Sequence, residues 1–455
     1  MTLGTQQTEV APVPPAPTPS SLREHLNGSL ITAIVVGFLL RCASGATGVL
    51  LGFYLNRVVS GADQAINPGV IAGLTTAFFV VELLLAPVFG SWSDSIGRKP
   101  FLLAGPIIAG LAVQLHPLTT FLWVITIGRL LEGLATSATT PGTLGFLSDM
   151  TSGHPALRGR VMGLYELGSL VGIGLGPVVG GRLWDFLKED GLHWIALLDF
   201  LAAVLVLLFI RESRPAHAAT APAAEAGTVT EAATVTRTPG WGERLRSYRS
   251  LLGLRRLWQF APAWIAINGV VGLWFNHVTP LLSRGYRSPT QLLQGGWTGA
   301  EVSNLFIIFG LSLMVGIYFW SHFYARLRKT NIMLMSIGGA LALCVVLFVI
   351  NMQLLPAPLG TWGLVPLVVV AIFFESAFTP VALAYLADVT EGQVRNRGAV
   401  MGLYSVFLAL GQVLGATIGV PFIDLFGFNG LLLATVLLVV VAGGAVLHLR
   451  RATGD

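Results

Sequence analysis

Charge is what this sequence has least of. Asp, Glu, Lys and Arg make up 11% of 455 residues, while 54% are hydrophobic and the mean hydropathy is +0.75. Soluble domains carry about 25% charged residues, so the shortage excludes an ordinary water-soluble chain and points to a membrane protein. Cysteine is scarce too. Cys42 and Cys344 both fall in apolar runs, and no disulfide framework or metal spacing follows from them. The chain has no G-x-x-x-x-G-K-[ST] phosphate loop, no nucleophile elbow and no metal-ligand helix motif. ATP-driven transport, acyl transfer and metal-assisted hydrolysis therefore have no residues to rest on, and we expect a non-enzyme without metal or cofactor. The formal charge of +5 is not a nucleic-acid footprint, because the basic residues sit in short loops between apolar runs. Residues 1–29, rich in Pro, Ala and Thr, lack a basic stretch leading into a short apolar core. They read as a disordered cytoplasmic tail rather than a signal peptide.

What the sequence has in quantity is long apolar runs. Stretches of about 20 residues, enough to cross a bilayer, lie at 30–57, 68–92, 99–118, 120–147, 159–184, 192–211, 258–282, 301–325, 331–353, 362–387, 398–424 and 428–449. The fourth and tenth are expected to be interrupted by Pro141 and Pro380. With the N-terminus inside, 20 of the 27 Lys and Arg are cytoplasmic. Arg57, Arg182, Lys188, Arg284 and Arg287 fall outside, and Arg41 and Arg129 fall within the membrane. That asymmetry places both termini in the cytoplasm of a multi-pass plasma (bacterial inner) membrane protein. The expected divisions are a first six-helix bundle at 30–211, a cytoplasmic linker at 212–257, a second bundle at 258–449 and a tail at 450–455. The linker ends in "WGERLRSYRSLLGLRRLWQF", which reads as a basic amphipathic helix lying on anionic lipid.

The halves are related. "DMTSGHPALRGRVMGLY" (149–165) aligns without gaps on "DVTEGQVRNRGAVMGLY" (388–404) at an offset of 239, with ten identities in seventeen. The same offset superposes Ser137, Ala138, Thr140 and Pro141 on Ser376, Ala377, Thr379 and Pro380, and Gly172, Gly176 and Gly180 on Gly411, Gly415 and Gly419. Internal duplication in a membrane chain points to alternating-access transport.

Three motifs carry the mechanism. "GSWSDSIGRKP" joins spans two and three: Gly90 allows close packing, Gly97 a tight turn, and Asp94, Arg98 and Lys99 form a compact charge cluster. Here the chain resembles the major facilitator superfamily, whose loop signature G-x-x-x-D-x-x-G-R-K falls on these positions. The likeness extends to the twelve spans and the six-plus-six layout. It implies an all-α fold of two pseudo-symmetric six-helix bundles, with this loop clamping the halves and Asp94 facing the start of span eleven. The second-half loop, "FWSHFYARLRK", has His322 in place of the acid and Ala325 in place of the glycine. "GIGLGPVVGG" in span five matches a glycine- and proline-rich pattern found chiefly in the drug/proton antiporters of that superfamily, carried by Gly172, Gly176, Pro177, Gly180 and Gly181. Physically, the small residues allow two backbones to approach and the proline bends the helix. Arg129 and Gly133 match an R-x-x-x-G pattern associated, in proton-coupled members, with proton transfer.

Ionisable side chains inside a membrane are functional by default. Arg41 and Arg129 are the cations; Glu82, Glu132, Asp199 and Glu375 are the acids near mid-span. We expect Glu132 and Glu375 each to be held in turn by proton and by substrate, Arg129 to tune Glu132, and Glu82 to be a further proton-coupling candidate. Asp199 is read as a helix-bonding residue, and Glu166 as structural. Arg41, Thr136, Asn268, Trp274 and Asn276 are candidate substrate contacts, the amides being equally readable as helix glue and Trp274 reading first as packing. The expected activity is proton-coupled export of small amphipathic or lipophilic compounds by a monomer, with protons, membrane lipids and a small solute as partners and no nucleic acid. The alternative is a proton-coupled importer or a lysolipid or lipid-precursor flippase, favoured by Arg41 where exporters of cations tend to place an acid.

Overall fold

A computed structural model describes residues 28–59, 66–151, 155–212, 255–285, 287–323, 327–356, 362–389 and 397–453. Its first half comprises α1 (Gly28–Tyr54), α2 (Pro68–Ile96), α3 (Lys99–Leu115), α4 (Leu122–Met150), α5 (Pro155–Leu187) and α6 (Gly191–Phe209). The second comprises α7 (Arg255–Ser283), α8 (Gly299–Phe323), α9 (Lys329–Asn351), α10 (Val365–Glu375), α11 (Phe378–Val389), α12 (Arg397–Phe426) and α13 (Phe428–Thr453). Each of the twelve runs is helical, with α10 and α11 together making the tenth. Residues 1–27 of the tail, residues 213–254 of the linker and the side chain of Asp94 lie outside what is described, as do most of the second-half loop and residues 390–396 of the duplicated segment.

Local rules explain the ends. Asn67 caps α2, its Oδ1 accepting the Val70 N–H at 2.9 Å, with Pro68 in the first turn where no N–H is needed. The prolines of the fourth and tenth runs behave differently from expectation and from each other. Pro141 sits inside an unbroken α4. Near Pro380 the chain does break, but four residues earlier, at Ser376 and Ala377. Proline cannot donate to the carbonyl four residues back, which frees Ser376. Pro380 then occupies the first turn of α11, where proline fits.

The two halves pack alike. In the first, α1 lies against α5 and α6, α4 against α2 and α3, and α3 against α6. In the second, α7 lies against α12 and α13, α10 against α8 and α9, and α9 against α13. The halves meet through α5 with α8, α2 with α12, and α1 with α7. We call the end bearing the chain termini proximal and the other distal. Seven hydrogen bonds between described residues of the two halves lie toward the distal end. Asn56 donates to the Pro280 carbonyl (2.5 Å) and Ser283 Oγ (2.9 Å), and Thr75 Oγ1 lies 2.5 Å from Asn276 Oδ1. Arg182 donates to Asn304 (2.9 Å), and Ser303 to the Val178 carbonyl (2.9 Å). Asp185 accepts the Gly299 and Ala300 N–H groups (2.8 and 2.5 Å).

Candidate functional site

The site is built around α4. Gly128 and Gly133 flank Arg129 and Glu132, and each makes room for a neighbour. A Cβ at Gly128 would stand 2.6 Å from the His116 ring, and one at Gly133 2.3 Å from the Phe78 carbonyl oxygen. Glycine at 133 therefore lets α2 approach until the Phe78 ring lies 4.8 Å from the Arg129 guanidinium carbon, a cation–π contact. Glycine at 128 lets His116, at the end of α3, reach Glu132. The carboxyl is held twice: Arg129 Nη1 pairs with Oε2, and His116 Nε2 lies 2.6 Å from Oε1. His116 is fully enclosed and its Nδ1 has no partner. Sequence reasoning did not single out His116. The only signal was an isolated "HP" at the end of a span whose one other titratable side chain, Lys99, stands at the opposite end.

Behind Glu132 lies a chamber of about 50 Å³ inside the first bundle. Its polar lining is Ser44 and Thr47 from α1, Glu132, Thr136 and Thr139 from α4, and Asp199 from α6. Thr136 and Thr139 return their hydroxyls to the Glu132 and Ala135 carbonyls one turn back (3.1 and 2.9 Å), as hydroxyls do in apolar helices. Thr47 Oγ1 is buried without a partner. Asp199 is 3% exposed, at the centre of the buried stripe formed by Ile195, Ala196, Ala202, Ala203 and Val206. The helix-to-helix hydrogen bond expected of it is not formed: among the described residues its carboxyl has no hydrogen-bond or ion-pair partner.

The remaining candidates are dispersed. Arg41 is half-buried on α1, close enough to Glu82 on α2 and Tyr165 on α5 to act on both electrostatically. Glu375 ends α10 at the helix break; its Oε2 is buried without a partner, and Cys344 on α9 lies within its electrostatic reach. Among the described residues no contact joins it to Glu132. Asn268 donates to the Trp264 carbonyl (2.9 Å) and faces the α12 backbone at Gly411. Trp274 donates to Thr435 on α13 (2.9 Å) and meets Phe428 edge-on, which is packing within the second bundle. Asn276 is a cross-bundle bond to Thr75.

The span-two loop is tied to its own bundle. Gly97 has φ of +119°, and a Cβ there would meet the Glu212 carboxyl at 2.8 Å. Glu212 accepts the N–H groups of Arg98 (2.7 Å) and Lys99 (3.2 Å), capping α3. The Arg98 side chain pairs with Asp149 (3.0 Å) and donates to Ser93 (2.7 Å), and Lys99 donates to the Leu207 carbonyl (3.0 Å). Gly90 packs against Pro141. In span five, Gly172, Gly176 and Gly180 ride on the carbonyl oxygens of Phe38, Cys42 and Ala46, where a Cβ would stand at 2.6, 2.4 and 2.6 Å. Pro177 adjoins Gly45, and Gly181 abuts Gly299 of α8.

Twelve helical spans in two like bundles, with ionisable groups buried between helices, make the fold of a multi-pass membrane transporter. The family model described as Major Facilitator Superfamily matches residues 30–300 and 288–454, and the chain belongs to that superfamily. It is 32% identical over 195 residues to the class H tetracycline resistance protein of Pasteurella multocida, covering 42% of this chain and 47% of that one. Against multidrug resistance protein 1 of Bacillus subtilis it is 26% identical over 139 residues, covering 30% and 35%. The matches thus span less than half the length of these relatives. Among solved structures, the nucleoside transporter NupG superposes with a TM-score of 0.67 at 14% identity, covering 93% of this chain and 98% of that one. A bacterial homologue of the human lysosomal transporter Spinster, inward-facing and occupied, gives 0.69 at 13%, covering 93% and 96%. At such identities these two show the fold alone.

Proposed function

We propose that the protein is a proton-coupled antiporter of the bacterial inner membrane, exporting small amphipathic or lipophilic compounds by alternating access. The proximal end faces the cytoplasm in this reading, as the basic residues indicate. The carrying observation is the buried Arg129–Glu132–His116 cluster opening onto a polar chamber. A carboxylate held by one cation and one imidazole can be neutralised by a proton, and neutralisation frees Arg129 to move or to meet an anionic group. Glu375, buried at a helix break without a hydrogen-bond partner for Oε2, supplies a second protonatable group in the other bundle, and Glu82, with Arg41 within electrostatic reach, a third in the first bundle. The likeness to tetracycline and multidrug resistance proteins supports export, with tetracycline-like and lipophilic cationic compounds as the substrates to try.

The test is reconstitution into liposomes with an imposed pH gradient, scoring movement of tetracycline and of a lipophilic cationic dye. Gradient-driven movement that falls about tenfold or more in Glu132→Gln or Glu375→Gln supports the reading; buried groups of this kind typically carry function. Wild-type movement insensitive to both the gradient and these substitutions overturns it.

A further inference from the structure

We infer that Asp199 is a proton-holding residue, exchanging its proton with Glu132 through water in the α1–α3–α4–α6 chamber. This rests on the proton-coupled reading of the α4 cluster and adds to it a second acid on another helix. Three independent observations converge on the chamber. Asp199 occupies the centre of the buried face of α6 and is 3% exposed, yet no donor or cation meets it among the described residues. Thr47 Oγ1 is 1% exposed, unpartnered and part of the same lining. The chamber's volume of about 50 Å³ exceeds the ~10–15 Å³ needed per water, so a few waters fit, with carboxyl and hydroxyl groups to bond them.

The charged groups around it divide unequally. From α4 comes Glu132, with Arg129 and His116 already committed to its two oxygens. From α1 the lining is Leu40, Ser44 and Thr47, from α2 it is Phe78, and from α3 it is Gly105, Ala109 and Val113. Arg41, the other membrane cation, lies toward Glu82 and Tyr165. An unpaired carboxyl enclosed in this way is held as the neutral acid, because an isolated buried carboxylate is far costlier. In the transfer, the Asp199 O–H bond breaks as a water takes the proton, and a proton from that water chain forms an O–H bond on Glu132. Asp199 is left as the carboxylate and Glu132 neutral, released from Arg129 and His116. One proton moves and nothing is oxidised. The reverse transfer resets the pair.

The test uses the purified full-length chain and infrared difference spectra recorded across a pH change. We expect a carboxylic-acid carbonyl band that is lost in Asp199→Asn, kept but moved in Asp199→Glu, and displaced in Thr47→Val, which removes a hydroxyl from the same water chain. An unchanged band set in Asp199→Asn overturns the inference. In liposomes carrying tetracycline, Asp199→Asn should move the midpoint of the pH profile by about one unit or more, as loss of an interacting charge does, and Asp199→Glu should restore it. A wild-type pH profile in Asp199→Asn, alongside loss of transport in Glu132→Gln, overturns the inference while the antiport reading stands. If the wild type moves no substrate, the antiport reading fails and the infrared band still decides the role of Asp199.

Discussion

At the scale of single residues, Arg129 and Glu132 show why a cation and an acid lie three apart in an apolar run. Each satisfies the other, His116 closes the carboxyl's second oxygen, and Phe78 covers the guanidinium. A buried pair of this kind adds little net stability, but removing one partner strands the other at a cost of about 3–5 kcal/mol. Glu132→Gln should therefore lower the melting temperature in detergent clearly. Arg129→Gln combined with it should recover much of the loss, since no charge is then stranded. Melting shifts that simply add would show the two residues to be uncoupled. The pair was legible in the sequence. His116 was not, because an imidazole reaching across from a neighbouring helix leaves no trace in the spacing of its own span.

Among helices, the glycine pattern of span five becomes a statement about α1. Gly172, Gly176 and Gly180 follow Phe38, Cys42 and Ala46 at the same interval of four, and Gly411 and Gly415 follow Ile265 and Gly269 on α7 and α12. The duplication seen as identities in sequence thus recurs as the same interlock in space. Gly174, two residues from Gly176, meets nothing within 4 Å. Gly174→Ala should be neutral or stabilise by up to about 1 kcal/mol through helix propensity. Gly176→Ala should destabilise, because its Cβ would stand 2.4 Å from the Cys42 carbonyl oxygen and backbone cannot yield cheaply. Gly415→Ala, at 1.8 Å from the Gly269 oxygen, should behave as Gly176→Ala does. Comparing the melting temperatures of the three variants is the check; equal tolerance would remove the interlock as the reason for the motif. Each of the twelve apolar runs is helical, while the effect of Pro141 and Pro380 escaped apolar length. Whether a helix survives Pro141 or breaks before Pro380 depends on what its freed carbonyl meets, which a single sequence does not record.

At the scale of the whole molecule, the state is set by what holds the distal ends together. Asp185, at the end of α5, accepts the first N–H groups of α8 across the boundary between bundles, where a helix N-terminus is partly positive. Gly181 and Gly299 allow that approach, because a side chain on either would enter the other's backbone. Rocking the bundles apart at this end must break both bonds. Hydrogen bonds to a charged group contribute about 1.5–3 kcal/mol, and each 1.4 kcal/mol is tenfold in an equilibrium. Asp185→Ala removes both and should therefore shift the balance toward the distal-open state by about a hundredfold or more. Spin labels on Glu189→Cys and Thr290→Cys, both exposed at the distal end, would report it as a growing long-distance population. Cys42 and Cys344 are buried and compete little for label. The sign of any transport change then follows from population. If the carrier works by alternating access, stranding it distal-open slows the return step, so turnover falls even though Asp185 touches neither Glu132 nor the chamber. An unchanged distance distribution with lowered turnover would place Asp185 in substrate passage instead of closure.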